Sequence, residues 1–144
     1  MNLIHNLKSL LVQTKYNILE SGQIKSFSPQ LSDCIDIILE TNNNFICFKD
    51  IWTHNNLTQE ILDCYLSEQI NSIIKSNTTL GKKFIFVLLV KNTYVNYDNN
   101  ILNIKNIHII KKINKNKLIK EISYFLYSNN IFYFEPDNSI IMLE

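Results

Sequence analysis

The run FIFVLLV, residues 84–90, constrains this chain more than any other stretch. It has no polar alternation, so as a strand it must be dry on both faces. It is far short of the roughly 18 apolar residues that a membrane helix needs, and no longer run occurs elsewhere. A strand dry on both sides needs a packing layer on each side. In a chain of 144 residues, enough for one domain with one real core, those layers are expected to be helices.

The segments around this run supply such layers. Leu3, Ile4, Leu7, Leu10 and Leu11 recur at helical spacing, predicting an amphipathic helix over about residues 2–14. The opening MNLIHNLKSLLVQTKYN has neither a basic start nor a small-residue cleavage site, so it reads as that helix and not as a signal peptide. YNILE reads as a short strand ending at Ser21-Gly22, and QIKSFSPQLS as a loop. DCIDIILE (33–40) and FICFKDIW (45–52) are β-branched and aromatic runs around TNNN, a hairpin signal because asparagine tolerates positive φ.

Asn56 then opens a helix with Gln59 in the reciprocal capping position. Leu57, Ile61, Leu62, Tyr65, Leu66, Ile70, Ile73 and Ile74 form its apolar stripe. After the apolar strand and a polar connection, YVNYDNN, comes the strand IHIIKKI. A helix over KNKLIKEISYFLYS follows, with Leu118, Ile119, Ile122, Phe125 and Leu126 inward. IFYFEPDNSIIML reads as a C-terminal β-hairpin around Pro-Asp-Asn. The expected architecture is a single α/β domain, 1–144. It is three-layer-like, with a central mixed sheet flanked by helices, because hairpins flank a parallel crossover.

Composition narrows the chemistry. Only two glycines are present, Gly22 and Gly81, which excludes a phosphate-cradling loop or a dinucleotide fingerprint. There is no GxSxG and no zinc-spaced Cys/His cluster. Cys34, Cys47 and Cys64 are odd in number and lack CxxC spacing, so three free thiols in a reducing, cytoplasmic setting are expected. His5, His54 and His108 are scattered.

All 14 basic residues are lysine. Without arginine there is no planar fork to grip phosphate or guanine, so any nucleic-acid contact rests on point charges. Residues 82–120 hold nine lysines against one acid, Asp98. Lys105, Lys111, Lys112, Lys115, Lys117 and Lys120 are candidate contacts to nucleic acid or to a partner. A solvated face is the plain alternative.

The hairpin carries an acidic residue near each end, Asp36 and Asp50. With the element order around it, it resembles the PD-(D/E)XK nuclease superfamily, the restriction-endonuclease-like fold, over about residues 1–128. In that family an Asp begins one hairpin strand, and a carboxylate, any residue and a lysine lie near the end of the next. The resemblance places Asp36 at the first position. With one extra residue in the asparagine turn, Asp50 takes the second carboxylate position and Trp52 stands where the lysine belongs. With the shorter turn, Lys49 and Ile51 take those two places. Either way the motif is incomplete.

In the family the two carboxylates hold Mg²⁺, which lowers the pKa of bound water while the lysine steadies the developing charge. The resemblance with Trp52 in place of lysine implies a degenerate, non-catalytic module with no cofactor. It would bind a protein partner, a second copy of itself or nucleic acid, without a membrane. An accessory role in a bacterial or mobile-element defence or counter-defence system is the setting it suggests. The alternative is a Mg²⁺-dependent nuclease using Asp36, Asp50 and a migrated lysine: Lys49, or else Lys83 or Lys91. Glu20 and Gln59 are further polar candidates near such a site.

Overall fold

A computed structural model describes residues 3–14, 16–20, 22–24, 35–53, 82–91, 107–129 and 131, with the backbone alone at 107 and 111. Two helices and five strands are described: α1 (Leu3–Val12), β1 (Asn17–Leu19), β2 (Ile37–Glu40), β3 (Asn44–Asp50), β4 (Lys83–Val90), β5 (Ile107–Lys111) and α2 (Lys115–Ser128). The strands form one sheet in the order β1-β2-β3-β4-β5. The first three pair antiparallel, and β3, β4 and β5 run parallel, so the sheet is mixed and the chain is α/β.

The expected helix over 57–75, the polar connection 94–100 and the C-terminal hairpin lie outside the described residues, as do Gln59, Cys34, Cys64, His54 and Lys105.

Local chemistry explains the boundaries. Thr41 closes the β2–β3 hairpin: its N–H donates to Asn44 O at 2.9 Å, and its hydroxyl accepts from Asn44 N at 3.1 Å. That leaves Asn42 and Asn43 at the tip, residues that tolerate turn geometry. At α1's end Thr14 Oγ1 donates to Leu11 O at 2.7 Å and accepts from Tyr16 N, satisfying an orphan carbonyl and turning the chain into β1. Asn114 caps α2, its Oδ1 accepting from Asn116 N at 2.8 Å and Lys117 N at 3.1 Å. Asn129 closes the other end with both its backbone and side-chain N–H groups on Phe125 O.

Both helices pack on one face of the sheet. Leu3, Leu7, Leu10 and Leu11 of α1 and Leu118, Ile122 and Leu126 of α2 meet Ile37, Leu39, Ile46, Phe48, Val87 and Leu89. These strand residues share a face because side chains alternate with period two. The alternate set, Ile38, Phe45, Cys47, Phe86, Leu88 and Val90, is buried as well. β4 is therefore dry on both faces from Phe86 to Val90, as its unbroken apolar run demands.

Phe45, Phe84 and Phe86 stack in series on that second face, with centroids 5.4 and 6.1 Å apart. Lys82 lies 5.3 Å from the Phe45 centroid while donating to Glu40 at 2.7 Å and to Thr41 O at 2.9 Å. Lys82, with help from Asn17, holds the Glu40 carboxyl below the usual carboxylate range.

Two outcomes test this core. Phe48 is fully buried between the helices and the sheet, so Phe48→Ala should cost about 3–5 kcal/mol in denaturant unfolding, whereas exposed Val12→Ala should stay within about 0.5. Glu40 has a lowered pKa in the folded chain, so its contribution is present above the unfolded carboxyl value of about 4.3 and is lost as pH falls through the folded value. Glu40→Gln should accordingly lower stability in the neutral region and converge with the parent chain at low pH, flattening the acid limb of the profile.

Candidate functional site

Parallel strands end at a common edge, and in open α/β sheets the loops leaving that carboxyl edge are where ligands gather. Here the edge carries Lys49 and Asp50 of β3, then Ile51-Trp52-Thr53, then Lys91 after β4 and Lys112 after β5. The antiparallel neighbour β2 brings Asp36 to the same edge. Its pairing runs Ile37↔Phe48, and one further step brings Asp36 level with Lys49. Asp36 N also donates to Phe48 O at 2.9 Å.

Both acids of the sequence motif are thus at one edge, and each accepts a hydrogen bond from a backbone N–H. Asp36 Oδ2 accepts from Asp50 N at 2.7 Å, and Oδ1 lies 3.7 Å from Lys49 Nζ. Asp50 is buried; its Oδ1 accepts from Thr53 N at 3.0 Å and its Oδ2 from the Thr53 hydroxyl. Asp50 therefore caps the turn that ends β3, while Asp36 clips the hairpin closed. Lys49 and Asp50 leave opposite faces of β3 because successive side chains alternate, so the Lys49–Asp36 pair and the Asp50–Thr53 pair are separate arrangements.

A Mg²⁺ ion needs open oxygen ligands. To bind both carboxylates it would compete with Thr53 at Asp50 and with Lys49 at Asp36. Among the described residues no three His, Cys, Asp or Glu side chains gather around one point.

Trp52, two residues past Asp50, is built into the fold. Its Nε1–H donates to Lys112 O at 2.9 Å, tying the end of β3 to the end of β5 across β4. The ring packs on the helix-side core, and Lys91 Nζ lies 4.5 Å from its centroid. The other lysine candidates are spread out. Lys83 pairs with Asn44 at the opposite end of β4, six residues and so about 20 Å along the strand from the Asp50 level, which removes it as a migrated lysine. Lys112 makes a 3.9 Å ion pair with Glu121, Lys117 is exposed, and Lys115 and Lys120 are half-buried on α2. Lys111 sits at the end of β5. Glu20 bonds Lys8 at 3.0 Å.

The remaining reactive groups are quiet. Cys47 is a buried free thiol whose burial pushes its pKa well above the ordinary value. The His108 ring stands edge-on to Phe125 at 4.9 Å, and desolvation lowers its pKa from the ordinary imidazole value. Lys91 and Trp52 as a stacked pair were missed by sequence reasoning. Their closeness depends on a parallel register that nothing local announces.

Compared with protein-family models, with curated proteins and with solved structures, the chain has no significant match in any of the three.

The tie from Trp52 to Lys112 gives a direct test. Trp52→Phe keeps an aromatic face for Lys91 but removes the donor, and should cost about 1–2 kcal/mol in denaturant unfolding. Lys91→Gln should cost under about 1 kcal/mol, because the ammonium is exposed. Equal stability of Trp52→Phe and the parent chain would contradict the assigned bond.

Proposed function

We propose that this chain is a non-catalytic binding module of restriction-endonuclease-like architecture, engaging a partner through the carboxyl edge of its parallel strands. Trp52 carries the reading. It stands where the resemblance would require a lysine, and its ring nitrogen is spent on Lys112 O at 2.9 Å. The closed partnerships of Asp36 and Asp50 support the same conclusion, because both carboxylates already serve as structural acceptors. An accessory role in a defence or counter-defence system is the setting this reading suggests, by resemblance alone.

One observation favours a second reading. Lys49 Nζ lies 3.7 Å from Asp36, the neighbourhood a migrated lysine would occupy in an active Mg²⁺-dependent nuclease.

Incubation with duplex DNA, single-stranded DNA and RNA in Mg²⁺ or Mn²⁺ separates the two. The module should cut none of them above background, and metal should leave its melting temperature unchanged. Asp36→Asn should be nearly neutral in stability, since the amide oxygen can still accept from Asp50 N. Metal-dependent cleavage that disappears in Asp36→Asn establishes the second reading instead. Such a site would also show itself by linkage, adding about 2.7 kcal/mol at a metal concentration 100 times Kd.

A further inference from the structure

We draw no further inference here: the strongest candidate, the cluster of Trp52, Lys91 and Lys112 at the carboxyl edge of the parallel strands, belongs to the site already described, and nothing in the structure shows what covers it.

Discussion

The seven-pair parallel ladder between β3 and β4 is the interaction on which the rest of this structure depends. β4 has no solvent face from Phe86 to Val90, so its backbone N–H and C=O groups must be bonded in the sheet; β3 takes one side and β5 the other. Once β3 is held in that register, β2 follows through a hairpin with only Asn42 and Asn43 at its tip, and β1 follows β2. α1 and α2 then find a single apolar face on which Leu7, Leu11, Leu118 and Ile122 can be dry together.

The same ladder makes the carboxyl edge. Parallel strands end at one side, so Asp50, Trp52, Lys91 and Lys112 meet there although they come from three different stretches of chain. What they do there is chiefly to finish strands. Asp50 saturates the turn through Thr53, Asp36 closes the hairpin on Asp50 N, and Trp52 bridges β3 to β5. A carboxylate whose oxygens are already hydrogen-bonded by the protein has little to gain by exchanging those partners for a metal, since the desolvation it would suffer again is not small.

Charge at the two ends of the sheet is handled differently. At the β2–β3 turn, Lys82 is bonded to Glu40, to Thr41 O and to the Phe45 ring, so its charge is locally answered. At the carboxyl edge, Lys91 has an aromatic face and Lys112 a 3.9 Å ion pair with Glu121. The difference follows from sequence position, because 82–120 is lysine-rich, and from the parallel strands, which end next to Lys91 and Lys112 at one edge.

Much of this was legible in the chain. Leu3, Leu7, Leu10 and Leu11 announce α1, and Leu118, Ile122 and Leu126 announce α2, because helical period is a local property that burial simply reads out. FIFVLLV announces a strand dry on both faces, and TNNN a hairpin. Asp36 and Asp50 could be paired on paper because they flank that hairpin. The sequence by itself therefore determined the two described helices, the dry strand β4 and the β2–β3 hairpin with its acidic ends, and with them the α/β class. Only tertiary structure decided that Lys49 and not Lys83 neighbours Asp36, that Thr53 claims Asp50, and that Trp52 reaches a carbonyl 60 residues away while Lys91 covers its ring. The reason is physical: a parallel register is set by long-range pairing of near-interchangeable apolar residues, and a one-residue slip, invisible in composition, would turn every one of these side chains to the other face.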